Sequence, residues 1–201
     1  MHRARFLSLL LIGCAATTPS PPDVPLRPPA RSFAPPFADA APSHFFSKRF
    51  HATIPFPDGR TWRIDDHSSA ELVATHAPTE SVLTFVLWRE QTPVNRHICE
   101  SRRPPHNQVA LRTVEDTVEL EPFDMRVWVP IELDSKGSLV GHVFAFGAHL
   151  RKCFVLHFAT RVAGPDDQAA LTSRLAAIRL TVVGGLRLDR TDAPHGSLQK
   201  P

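Results

Sequence analysis

Several catalytic signatures are missing from these 201 residues. There is no Gly-x-Ser-x-Gly elbow, no His-Glu-x-x-His helix, no phosphate-cradling glycine loop and no Cys-x-x-Cys pair. Nine glycines leave little material for a cofactor-binding loop, so no cofactor is expected. No apolar run approaches the ~20 residues that a membrane-spanning helix needs. No basic run is interleaved with aromatics, which argues against nucleic acid as a partner. The net charge is only +3, from 19 Arg and four Lys scattered through the chain. There is no internal repeat.

The beginning of the chain carries a strong signal. His2, Arg3 and Arg5 precede the short apolar run Phe6–Ile12, and the run stops at Gly13-Cys14. A basic start followed by a short apolar core is the layout of a secretory signal. The order Leu11-Ile12-Gly13-Cys14 resembles the lipobox of bacterial lipoproteins. The resemblance implies cleavage before Cys14, lipidation of its thiol and acylation of the new amino terminus. Acyl chains then replace a protein anchor, each buried methylene contributing about 0.8 kcal/mol. Ala15 follows the cysteine where an Asp would favour the inner membrane, so the expected address is the outer membrane, facing the periplasm.

Residues 17–43 form a tract in which a third of the positions are proline and none is glycine. Such a segment favours extended polyproline II and could reach roughly 80 Å at about 3.1 Å per residue. The expected organisation is a signal at 1–13, the lipidated Cys14 and its tether over 14–44, one globular domain over 45–187 and a loose tail over 188–201. By size the remainder is a single domain with a proper core.

With Cys14 lipidated, Cys99 and Cys153 remain. An even pair in an oxidising compartment reads as a disulfide, closing a loop of about 54 residues. Two buried free thiols are the alternative.

Along the domain, Phe50–Phe56 reads as a strand and Asp58-Gly59 as a turn before a second strand at Thr61–Ile64. Residues 72–76 and 81–88 read as a hairpin around Ala-Pro-Thr-Glu. Its second strand, apolar at nearly every position, is expected to be buried on both faces. Thr92-Pro93 predicts a helix start, with Val94 and Ile98 on one face and Cys99 close by, and Arg102–Pro105 stops it. Val109–Leu120 holds one or two short strands. Met125, Val127, Val129, Ile131 and Leu133 alternate as a strand with one buried face, and Pro130 places it near an edge. Residues 139–147 and 152–162 form a second apolar hairpin. A final helix runs from Pro165 to Leu180 on a stripe of Leu171, Leu175 and Ile178, with Val182-Val183 as a last short strand.

These elements predict an α/β fold: a mostly antiparallel sheet with helices packed on both faces. Their order resembles the PsbP-like α/β sandwiches, whose members are mainly assembly or accessory proteins. That resemblance carries no diagnostic motif and no site residue. The expected role is therefore a non-catalytic accessory or partner-binding lipoprotein. A metal-dependent hydrolase using His and Asp residues, and a small-ligand or lipid carrier, are the alternatives.

Three groups of residues invite chemistry. Asp65-Asp66-His67 could ligate a cation with another oxygen or His76, although a solvated loop between strands is the plainer reading. Trp62, Trp88 and Trp128 read as core or sheet-face aromatics. His142 and His157 lie in the second hairpin. With its turn at His149-Leu150 they would be directly opposed on the face carrying Cys153, close enough to share a metal ion or a proton. A third ligand such as His97 or a carboxylate would then be needed. Ordinary hydrogen-bonded, half-buried histidines are the plainer reading.

Overall fold

The computed structural model describes residues 36–38, 41–101, 112–116, 119–120 and 123–189. The expected signal, Cys14 and most of the expected tether lie outside them, as does the end of the chain. In chain order the strands are β1 (Ser43–Ser47), β2 (Ala52–Phe56), β3 (Trp62–Asp65), β4 (Leu72–His76) and β5 (Ser81–Arg89). Helix α1 (Arg96–Glu100) follows, then β6 (Arg112–Asp116), β7 (Glu119–Leu120), β8 (Phe123–Leu133), β9 (Leu139–His149) and β10 (Lys152–Val162). Helix α2 (Gln168–Ala177) and β11 (Arg187–Leu188) close the described fold.

The main sheet is antiparallel, in the order β3-β4-β5-β10-β9-β8-β6, with the short β7 also paired to β8. The long apolar strands β9 and β10 sit at its centre. A small sheet, β1-β2-β11, packs over one face together with α2. Ile54 and Phe56 of β2 share one core with Leu83 and Phe85 of β5, Val127 of β8, Phe154 and Phe158 of β10, and Leu171, Leu175 and Ile178 beneath α2. Gly141 lets α2 approach: a Cβ there would lie 2.9 Å from the Leu175 side chain. Helix α1 covers the opposite face at one end, packed on β8, β9 and β10. Helices thus lie on both faces of a mostly antiparallel sheet, the α/β arrangement expected from the sequence.

The disulfide joins Cys99 to Cys153, with Cα atoms 5.3 Å apart. Both sulfurs are buried, among Ala148, Trp88 and Val94. This cross-link holds a one-and-a-half-turn helix that is far too short to persist alone.

Several expectations need correction. Helix α1 starts later than Thr92-Pro93. Its N-cap is Asn95, whose side chain accepts from the Ile98 N–H at 3.1 Å. The Val94 N–H instead donates to the Leu150 carbonyl at 2.9 Å, which ties the preceding residues to the β9–β10 turn. Strand β5 is buried on one face only: Leu83 and Phe85 are enclosed, whereas Val82 is exposed. The reason is that α1 covers only the disulfide end of the second face. Val182 and Val183 form no strand. The helix continues past α2 as a π-helical turn over Ile178–Val183, which keeps Ile178, Val182 and Val183 in the core. The last strand is β11, and Leu188, assigned above to the tail, is buried in it. The expected first strand is preceded by β1, and the two pair as a hairpin.

The β9–β10 turn is also displaced. Leu150 adopts the left-handed conformation, φ 57°, so a two-residue turn falls at Leu150-Arg151 and His149 pairs with Lys152. Gly147 then faces Phe154, Ala145 faces Leu156 and Val143 faces Phe158. Small residues oppose large ones, and the Phe154 ring occupies the space where a Cβ of Gly147 would stand, 2.7 Å away. This packing explains the chosen register better than the turn residues do.

Phe37, assigned above to the tether, is buried against Trp62, His76 and Phe158, with ring centroids 5.8, 5.2 and 6.3 Å away. The domain therefore takes in part of the proline-rich tract.

Candidate functional site

His142 of β9 and His157 of β10 lie on the face opposite α2, the same face as Cys153. The shifted register places His142 opposite Ala159 and His157 opposite Phe144. The two histidines are diagonal neighbours, within reach of long side chains on one face. Nδ1 of His142 lies 3.1 Å from Nε2 of His157, so one nitrogen donates a hydrogen bond and the other accepts it. The rings are nearly parallel, with centroids 5.3 Å apart.

Neighbouring strands fix these rings. Phe144 stacks on His157 at 4.2 Å and an interplanar angle of 1°. Trp128 of β8 stacks on the other side of Phe144 at 5.1 Å. Glu132, also from β8, is 1% exposed, and its Oε2 lies 3.8 Å from Nε2 of His142. Three strands thus line up a carboxylate and two imidazoles over an aromatic support. Such an arrangement can hold a ligand or pass a proton along its length.

The proposed third ligand, His97, lies on α1, which the disulfide ties to Cys153. That point is four residues, or about 13 Å, along β10 from His157. Among the described residues, no three His, Cys, Asp or Glu side chains come together as a metal cluster.

The Asp65-Asp66-His67 group is a turn. The carboxylate of Asp65 accepts from the backbone N–H groups of His67 and Ser68 at 2.9 and 3.0 Å. The His67 N–H, followed by the Ser68 hydroxyl and N–H, pulls the Asp65 pKa down to about 2. Asp66 pairs with Arg49 at 3.3 Å. His76 is engaged elsewhere, so these residues do not converge on a cation. Trp62 donates to the Pro57 carbonyl at 2.7 Å from within the core, Trp88 packs against the disulfide, and Trp128 is the sheet-face aromatic described above.

One network has no signal in the linear sequence. Asp58 Oδ2 lies 2.8 Å from His76 Nε2, and His76 Nδ1 lies 2.7 Å from Thr79 Oγ1. The path continues through Ser81 to Thr160 at 2.7 and 2.9 Å. Arg174 of α2 then donates to Thr160 Oγ1 and to the carbonyls of Thr79 and Arg161, at 3.1, 3.0 and 2.9 Å. An acid, an imidazole and a hydroxyl in series resemble a hydrolytic relay. Here, however, Thr79 is 1% and Ser81 2% exposed, and Phe37 packs edge-on against His76. A nucleophile needs contact with its substrate, so the network is read as a polar seam joining β4, β5, β10 and α2.

No protein-family model matches the chain, and no curated protein matches it. Among solved structures, a protein from Bacteroides thetaiotaomicron VPI-5482 is similar with a TM-score of 0.48 and 10% identity. The match covers 74% of this chain and 48% of that one, so this chain spans about half of its length. Cyanobacterial PsbP (CyanoP) from Synechocystis sp. PCC 6803 is similar with a TM-score of 0.46 and 6% identity, over 75% of this chain and 94% of its own.

Proposed function

We propose that this protein is a lipid-anchored lipoprotein of the cell envelope, held at the outer membrane and facing the periplasm. Its stapled sandwich serves as a non-catalytic accessory domain that docks a protein partner. The observation that carries this reading is the buried Cys99–Cys153 bond. Structural disulfides persist in oxidising compartments outside the cytoplasm. The lipobox-like Leu11-Ile12-Gly13-Cys14 supports the same address. With Phe37 packed into the domain, the free tether is shorter than residues 17–43. From Cys14 to Phe37 it reaches about 70 Å when extended.

The disulfide end offers a place for a partner. Ile98 of α1 and Leu150 of the β9–β10 turn are 45% and 55% exposed, and the Val94–Leu150 hydrogen bond joins their two segments. Apolar side chains held on a cross-linked element are suited to docking.

Mass spectrometry of the mature protein is expected to find a lipidated N-terminus at Cys14. Cys14→Ser should leave uncut or misplaced protein. A mature end elsewhere, without lipid, would remove the proposed address. In intact cells, a photo-crosslinker at position 98 or 150 should trap one discrete protein adduct, and Leu150→Glu should weaken the one formed from position 98. The same probe at exposed Ala70 should trap none. Equal labelling from all three positions would sink the docking role.

A further inference from the structure

We propose that His142 and His157 form a binding site for a single first-row transition-metal cation of the Cu2+ class, with Glu132 orienting His142. The nitrogens at 3.1 Å already have a suitable separation. Two metal–nitrogen bonds of about 2.0–2.1 Å would span that distance at an angle of about 100°, a cis arrangement. Tetrahedral and tetragonal sites both accept such an angle, and imidazole pairs suit Cu2+ ahead of Ni2+ and Zn2+.

The surroundings match what an imidazole ligand requires. A metal-binding histidine commonly directs its other ring N–H at a carboxylate, which fixes the tautomer and makes the ligating nitrogen more basic. Glu132 stands on the Nε2 side of His142, 3.8 Å away, which leaves Nδ1 to face His157. The buried carboxylate also supplies negative charge near the cation. The Phe144 ring against His157 and the Trp128 ring beyond it hold the geometry in advance. The His142 side chain is 13% exposed, which leaves a path for the ion and for water as the remaining ligands. With His142 carrying its proton on Nε2, the proton between the rings belongs to His157; binding shifts it from Nε2 to Nδ1 of His157, so both imidazoles ligate as neutral rings and no net proton is lost.

The site is drawn from β8, β9 and β10 and rests on neither the lipobox nor the disulfide, so the proposal stands or falls separately from the envelope address. The test is a Cu2+ titration of the full chain after N-ethylmaleimide treatment, followed by tryptophan fluorescence and electron paramagnetic resonance. One equivalent should quench Trp128, through its place in the ring stack, and give a spectrum with two nitrogen ligands. Zn2+ should compete without quenching. His142→Ala and His157→Ala should each weaken this binding at least about ten-fold, and Glu132→Gln by about ten-fold. Trp128→Phe should abolish the quench while the electron paramagnetic resonance spectrum with two nitrogen ligands persists. Should the alanine variants lose their folded circular-dichroism spectrum, His142→Asn and His157→Asn carry the same expectation. Unchanged affinity and quenching in folded variants of both histidines would overturn the site.

Discussion

Replacing Cys99 and Cys153 together by alanine is expected to lower the free energy of unfolding by about 4 kcal/mol. The two residues are 54 apart in sequence, and their bond closes a loop containing β6, β7, β8 and β9. Reduction frees that loop in the unfolded chain, and the gain in chain entropy is what the figure measures. The folded state loses as well. Helix α1 has five residues, and only Cys99 among them is buried. Without the bond the helix depends on its Asn95 cap and a few contacts with Val94 and Trp88. For a domain of this size the melting temperature should fall by about 10 °C. Dithiothreitol on the native protein should reproduce the loss, and Cys99→Ala alone should match the double variant. A change of less than about 1 kcal/mol in urea unfolding would mean that α1 is held by its other contacts or that the unfolded chain stays compact around the loop.

The second large effect is expected from Arg174→Leu, at about 3–5 kcal/mol. Arg174 is 2% exposed and donates three hydrogen bonds, to the Thr79 and Arg161 carbonyls and to the Thr160 hydroxyl. Burial pushes the guanidinium pKa down, and the charges of Asp167 and Glu80 oppose that shift. Leucine fills part of the volume but takes a donor from the buried Thr79 carbonyl and Thr160 hydroxyl and from the half-buried Arg161 carbonyl, and that loss carries most of the cost. Arg174→Lys should recover only part of the loss, because all three bonds come from one terminal guanidinium nitrogen and an ammonium on a different stem does not fall at the same point. Ser81→Ala, in the same chain of hydroxyls, should cost nearer 1 kcal/mol. Urea midpoints for the three variants give the ranking. A neutral or stabilised Arg174→Leu would show that the seam relaxes around an apolar side chain, as some buried ionic groups do.

Much of the architecture was legible in residue order because it depends on local periodicity. Alternation revealed β8, and a dense apolar run revealed β10. The stripe of Leu171, Leu175 and Ile178 marked α2. The His142–His157 contact was legible for a more specific reason. Side chains in a strand alternate with a period of two. The turn moved from His149-Leu150 to Leu150-Arg151, which changes each pairing by two residues and leaves every side chain on its expected face. Partners changed from opposed to diagonal, and the two rings still meet.

The remaining features depended on tertiary structure because they join residues that no local pattern connects. Strands β1 and β11 are short, and β2 supplies the pairing that defines them. Phe37 sits in a proline-rich tract and becomes core only because Trp62, His76 and Phe158 form a surface for it. Glu132 reaches His142 through the pairing of β8 with β9, which no motif announces. The polar seam links Asp58 to His76 across 18 residues, Ser81 to Thr160 across 79 and Thr79 to Arg174 across 95. Local sequence thus determined the inward faces of β8, the β9–β10 hairpin and α2. The polar partners they find there were decided by strand order and helix placement, because a buried hydrogen bond needs its donor and acceptor brought together from distant parts of the chain.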